Sequence, residues 1–523
     1  MGKKTLCVLM ILVLVIGLFS GCGTKEESSI EGSEKQETTN EANTEEPVAK
    51  ENKDEIKIAL HTDIVSLDPQ GHNDTTSETV SFLLFNRLFK LNTDFEAVPD
   101  LVEEYSQPSD KEWVLKIKEG VKFHDGVEMT SEDVKFSLER SKKSPTVQHV
   151  LAEIEKVEIV DKYTVKVTTK MPFAPFIYTL VHAGSSILPK HYVESEDKWN
   201  NPIGSGQYKF VEWISGDKIV LERNEDYYDK DNMGMSKKIV FRVIPEDTSR
   251  TIALETGEVD IVDTLSGLDA PRVKENPDLD LYEKPSTTIA YAGMNVEKPP
   301  FDNVLVRRAM NYAVDKEAII EVALNGAGVE AKSVTAEALL GYKANDEYTY
   351  DPEKAKELLK EAGYDGDLEI EIWASGDIRK KTAEVIQANL MEIGVTASIE
   401  MFEWGAYLEA TNSGKQGMFV LGWTSNPDPD ATLTPQFSKE SIGAQNRSRY
   451  VSDKVEQLLL DGRAELNTER RKEIYNELHE TVMNDGPWVP LYVSNKVLGA
   501  NSKLQGVELS PQGLWNLHKL HYK

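Results

Sequence analysis

The stretch IRKKTAEVIQANLMEIGVTASIEMF, residues 378–402, carries two periods in one run. Residues 378–393 read as a helix that stops at Gly394. From there Val395, Ala397, Ile399 and Met401 alternate with Thr396, Ser398, Glu400 and Phe402. Alternation of that kind is the two-residue period of a strand. Helix followed by strand is the succession expected of an α/β fold. Just upstream, Asp351-Pro352 opens a helix with Ala355, Leu358, Leu359 and Ala362 on one face and Gly363 at its end. Asp302 and Asp315 are placed to cap two more, the first carrying Val306, Met310 and Ala313.

The first half mixes strands and helices less regularly. A strand is expected over residues 56–61, a turn over 66–69 and a helix over 77–89. Residues 113–117 alternate like a half-buried strand, and 121–126 form a strand ending in the Asp125-Gly126 turn. Thr130 with Asp133 is a capping-box start for a helix through Leu138. Residues 154–159 and 163–168 read as a hairpin around Asp161-Lys162; 207–214 and 218–223 read as another around Ser215-Gly216. No internal repeat of fixed period is visible.

The N-terminus is different in kind. Lys3 and Lys4 precede an apolar run over residues 6–19, the pattern of a secretory signal and too short to span a bilayer as a stable helix. The run ends Leu18-Phe19-Ser20-Gly21-Cys22, which resembles a lipobox, with Phe19 departing from the usual leucine. Residues 1–21 are therefore expected to be a signal peptide, with Cys22 diacylated as the mature first residue. The alternatives are an uncleaved anchor and a soluble secreted form. Residues 22–55 are polar and are expected to be a disordered tether to the membrane. Cys7, the only other cysteine, lies in the signal, so no disulfide, thiolate nucleophile or Cys-rich metal site is expected. A net charge of -30 without a basic stripe argues against a nucleic-acid partner. The remaining length suits two or more soluble domains.

Motifs in order along the chain resemble a known family. They are Ser66-Leu67-Asp68-Pro69, Val98-Pro99-Asp100-Leu101, Val121-Lys122-Phe123-His124-Asp125-Gly126 with Thr130 to Ser137, and Pro202-Ile203-Gly204-Ser205-Gly206-Gln207-Tyr208. Leu221-Glu222-Arg223-Asn224, Gly422-Trp423-Thr424, Asn446-Arg447-Ser448-Arg449-Tyr450 and Pro487-Trp488-Val489-Pro490-Leu491-Tyr492 follow. Together they resemble the large solute-binding proteins of peptide and nickel ABC importers, family 5 of the extracellular solute-binding proteins.

The resemblance implies a two-lobed periplasmic-binding-protein-like α/β fold of the large type. Lobe 1 takes residues 56–285 plus 492–523, with an extra subdomain at about 98–197, and lobe 2 takes 286–491. The hinge crossings fall near residues 283–292 and 491–495. It also implies a monomer that holds a peptide or peptide-like ligand between the lobes, meets the permease subunits of an ABC importer, and uses no cofactor. On the same fold, a nickel or metal-chelate ligand and peptide-pheromone sensing are the alternatives. His518 and His521 lie close together, but no HExxH or Cys-spaced pair is present. No Walker loop, G-x-S-x-G elbow or dinucleotide fingerprint points to an enzyme. His124-Asp125-Gly126 reads as scaffold.

For the site, the resemblance points to Trp423, Thr424, Ser425 and Asn426, with Asn426 where peptide-binding relatives keep an aspartate for the ligand ammonium. Asp428 and Asp430 read as scaffold. Arg379 falls where a basic residue would hold the ligand carboxylate, against a plain solvated helix start. Trp404, Tyr407 and Trp423 match aromatic cleft walls, with core packing as the alternative, and Asn73, Asp74 and Thr75 would contribute from lobe 1.

Overall fold

The protein is described here by a computed structural model covering residues 54–523, apart from residues 94, 195–198 and 367 and the side chain of Trp515. The expectations for the signal peptide, Cys22 and most of the tether lie outside these residues. Glu55, assigned to the tether, already opens the first strand, Glu55–Leu60. No helix among the described residues is long and apolar enough to cross a membrane.

The α/β expectation holds. An 11-stranded mixed sheet runs through the body, and the strand read in residues 395–401 forms one of its edges. Leu368–Ala374 lies parallel to Val395–Met401, joined by the helix Asp377–Glu392. Parallel neighbours need such a crossover. Gly376, at φ 79, makes the turn from strand to helix in a conformation that other residues adopt at a cost. Met418–Thr424 follows on the other side of Leu368–Ala374.

Two long strands, Leu279–Met294 and Trp488–Asn501, occupy the middle of the sheet and pair antiparallel. Their register shifts between Pro285 and Ile289, which divides the pairing into two segments. Beyond them come Ile261–Val262, Glu55–Leu60, Lys238–Val243, Lys218–Arg223 and Tyr208–Ile214. The hydrophobic cores divide in the same place. One large cluster draws only on residues 290–492, whereas a second joins residues 56–261 to 498–520. A third, over residues 88–187, sits on the four-stranded sheet Val102–Ser109, Glu112–Ile117, Thr164–Thr169 and Ile154–Ile159. That part meets the 290–492 part directly, where the Ala174 N–H donates to the Arg463 carbonyl at 2.9 Å.

Three local expectations need correction. The helix expected over 77–89 is Thr75–Leu84, capped by Asp74, and Phe85 is extended. The glycine segment ends it. Gly206 N–H donates to Leu84 O, and a Cβ on Gly204 or Gly206 would lie 1.9 Å from Leu84 O or 2.2 Å from Leu83 O. The strand expected over 121–126 reduces to one isolated bridge, Lys122 with Glu128, because the chain turns at once through Gly126. Asn303, not Asp302, caps the helix Val304–Ala313 by accepting from Leu305 N–H. The capping box Thr130–Asp133, both hairpins, and the caps at Asp315 and Asp351 stand as read.

His124 has a structural position. Its Nδ1 accepts from Gly204 N–H at 3.2 Å and its Nε2–H donates to Gly206 O at 3.1 Å, clamping the glycine segment. Burial holds its pKa at about 4, so the ring is neutral as that pattern requires.

Candidate functional site

The register shift leaves Ser286, Thr287 and Thr288 between the two paired segments of the long strand. Their polar groups reach the neighbouring strand. Ser425 N–H donates to Thr287 O at 2.9 Å, and the Thr288 and Thr424 hydroxyls lie 2.9 Å apart. Trp423 stands opposite Ile289 and packs against the small cluster of Ile289, Ala331, Ala336, Leu339 and Val493 as well as the large core. Several buried side chains here have no protein partner. Thr287 Oγ1, Trp423 Nε1, Ser425 Oγ and Asn495 Oδ1 are buried without a protein partner. Each such group costs about 1–3 kcal/mol until water or a ligand meets it. Thr424 and Asn426 are exposed beside them.

The carboxyl ends of the parallel strands supply a second group. Crevices at such ends are where open α/β sheets bind ligands. Arg379, in the first turn of Asp377–Glu392, is partly exposed, and its guanidinium carbon lies 4.7 Å from the centre of the half-exposed Trp404 ring. No carboxylate among the described residues forms an ion pair with it; its one protein hydrogen bond is to Ser375 O at 3.3 Å. Tyr407 is 0% exposed and donates to Val420 O at 2.6 Å and Trp373 O at 3.1 Å. It therefore backs the surface that Arg379 and Trp404 present, and it corrects the expectation that Tyr407 itself lines an open wall.

The acidic residues after Trp423 are engaged elsewhere. Asp428 receives Arg471 through two bonds of 2.6 and 2.7 Å, and both side chains are buried. Burial works against the Arg471 charge, but the Asp428 carboxylate outweighs it and holds the guanidinium above its ordinary pKa. Asp430 receives Arg463 Nε at 3.2 Å and the Thr434 hydroxyl. Neither carboxylate is spare. Arg447, noted in the sequence only as part of a motif, is 8% exposed and donates to Gln445 Oε1 at 2.9 Å, while its Nε has no protein partner. Nothing in Asn-Arg-Ser-Arg-Tyr marked it apart from Arg449, which pairs with Glu297. Burial and the lack of a carboxylate partner distinguish Arg447 from it.

In the first lobe, the three expected residues separate. Asp74 caps its helix through Ser77 N–H, and Asn73 Oδ1 receives His182 Nε2 at 3.0 Å, so both have structural partners. Thr75 lines a recess with Glu78, Arg87 and Gln512. Burial raises the Glu78 pKa, and burial lowers that of Arg87.

Residues 96–444 match the family described as bacterial extracellular solute-binding proteins, family 5, middle. The chain is 31% identical over 490 residues to the dipeptide-binding protein of Escherichia coli, covering 85% of this chain and 91% of that one. It is 29% identical over 475 residues to the glutathione-binding protein GsiB of Salmonella paratyphi A, covering 87% and 92%. To heme-binding protein A of Haemophilus influenzae it is 31% identical over 480 residues, covering 84% and 87%. Among solved structures, HbpA2 from Haemophilus parasuis superposes with a TM-score of 0.83 at 30% identity, over 90% of this chain and 100% of that one. The periplasmic binding protein DppA of Helicobacter pylori, in complex with the peptide STSA, gives 0.72 at 29%, over 90% and 98%.

Proposed function

This chain belongs to family 5 of the bacterial extracellular solute-binding proteins, and we propose that it captures a peptide or peptide-like solute between its two lobes for the permease of an ABC importer. In this reading Cys22 carries the lipid, residues 22–54 give the body reach from the membrane, and the protein works as a monomer.

The observation that carries the reading is the row of buried, unpartnered polar atoms, Thr287 Oγ1, Trp423 Nε1 and Ser425 Oγ, where the long strand changes register. A peptide presents alternating donors and acceptors that suit such a row. Trp423 and Trp404 offer broad apolar area with few rotors to freeze, which favours permissive recognition of side chains. Thr424 and Asn426 border the row from the exposed side, and Arg379 would take the ligand carboxylate bidentately. Because Asn426 is neutral and Asp428 and Asp430 are held by Arg471 and Arg463, the ammonium of a peptide would be met elsewhere, and Thr75, which lines the recess with Glu78 and Asp100, is the first-lobe contact the reading keeps. Closure follows when a ligand makes contacts that exist only between approached lobes.

Native mass spectrometry and thermal shift of the mature protein against peptide pools, glutathione, heme and Ni(II) test this. Peptide at about 100 times its Kd should stabilise the fold by about 2.7 kcal/mol. A shift with heme or nickel alone, and none with any peptide or with glutathione, overturns the peptide reading.

A further inference from the structure

We propose that the first-lobe recess beside Thr75 is a second solute site, a seat for a small zwitterion of the α-amino-acid class. The proposal goes beyond the peptide reading, in which Thr75 is the contact kept from this recess.

The recess has a volume of about 100 Å³, which suits a molecule of a few heavy atoms and not a peptide. Its walls carry both signs of charge, Glu78 and Asp100 against Arg87 and Lys90. His518, also in the wall, is neutral, since burial holds its pKa at about 4. Asp100 is already engaged. One of its oxygens accepts from the Asn86 side-chain amide and from Arg87 N–H, both at 3.1 Å, and Lys90 Nζ lies 3.6 Å from the other.

Glu78 and Arg87 line the same recess without pairing, and one short segment holds them apart. Val181 O accepts from Arg87 Nη1 at 2.7 Å, while Ala183 N–H donates to Glu78 Oε1 at 3.2 Å. The Phe82 ring, its centre 3.5 Å from the guanidinium carbon, fixes Arg87 further. Arg87 is 6% exposed and its Nε has no protein partner. Among the described residues the Ala183 bond is the one hydrogen bond that the Glu78 carboxyl receives. Burial works against both charges.

A guanidinium and a carboxylate fixed beside one cavity but not joined are costly until something bridges them. An anion would answer Arg87 and leave Glu78; a cation would do the reverse. An α-amino acid carries its ammonium and carboxylate on one carbon and answers both at once. The side-chain amide of Gln512, in the same wall, makes no hydrogen bond among the described residues and is a further donor for the carboxylate.

The test is a saturation-transfer NMR titration of the full mature protein with L-alanine, with L-alaninamide, which lacks the carboxylate, and with N-acetyl-L-alanine, which lacks the ammonium. Alanine should bind with a Kd of about 1 mM or tighter, and each analogue at least about tenfold more weakly. Glu78→Gln should erase the preference over N-acetyl-L-alanine and keep the preference over L-alaninamide, whereas a folding defect would weaken all three alike. Gln512→Trp, which fills the recess, should abolish alanine binding. No alanine binding by wild type, equal affinity for alanine and either analogue, or full alanine affinity in Gln512→Trp overturns the proposal. Peptide pools titrated separately keep the two readings apart: peptide binding without alanine binding overturns this site alone, and alanine binding without peptide binding overturns the peptide reading alone.

Discussion

Asp428 stands two residues after Asn426, close to where relatives keep an ammonium anchor, and Asp428→Asn separates an anchor from a structural ion pair. In the structure its carboxylate makes both bonds to Arg471, which is 4% exposed, so the substitution leaves a buried guanidinium without its counter-charge. Removing one partner of such a pair costs about 3–5 kcal/mol. The amide oxygen of Asn can keep one of the two bonds, which favours the lower end. Unfolding entropy of about 2.1 cal/mol/K per residue, over roughly 470 folded residues, gives about 1 kcal/mol/K. The melting temperature should therefore fall by about 3–5 °C, read by scanning calorimetry on ligand-free protein. Affinity for peptide should change by less than about threefold, because both carboxylate oxygens are taken by Arg471. A variant that melts within about 1 °C of wild type but binds peptide tenfold more weakly would refute the structural assignment and make Asp428 the anchor.

His479 and Gly204 give two further tests. His479 is 0% exposed between Gly341 O and the Thr335 hydroxyl, and burial holds its pKa at about 4 against an ordinary 6.5. A depressed folded-state value means its contribution is intact above pH 6.5 and is lost as pH falls through 6.5 toward 4. Urea titrations at pH 7 and pH 5 should show His479→Gln losing about 2 kcal/mol less than wild type between them, and an identical loss would reject the assignment. Gly204→Ala should abolish soluble expression, since the added carbon meets Leu84 O at 1.9 Å; Gly216→Ala, at φ 77 with nothing within 4 Å, should cost only about 1 kcal/mol. Equal effects from the two would reject the steric account.

The legible parts of the fold are those whose cause is local. The Thr130–Asp133 box, the two hairpins and the caps at Asp315 and Asp351 depend on residues within a few positions of one another. The helix expected to reach residue 89 fails because Gly204 and Gly206, more than a hundred positions away, seat against its last carbonyls. At the candidate site, Trp423 was named from inside a family motif and Arg379 from its position relative to a basic residue in relatives. The states of Tyr407 and Arg447 were not legible, since the sequence shows an aromatic residue and a cation without showing that one is sealed under a wall and the other is buried without a carboxylate. Polar groups such as Thr287 Oγ1 become informative only once the register shift that buries them is known.

The strand Trp488–Asn501 lies far along the sequence from both its neighbours, yet it sits in mid-sheet, between Leu279–Met294 and Ile261–Val262. Its neighbours are synthesised long before it, and until it arrives each presents a raw row of amides and carbonyls to any passing strand. A message truncated before residue 488 thus yields a sticky, aggregation-prone chain and not a slightly shorter protein. Pairing of this strand is the step that seals the sheet, and its long sequence separation from both neighbours makes that step slow.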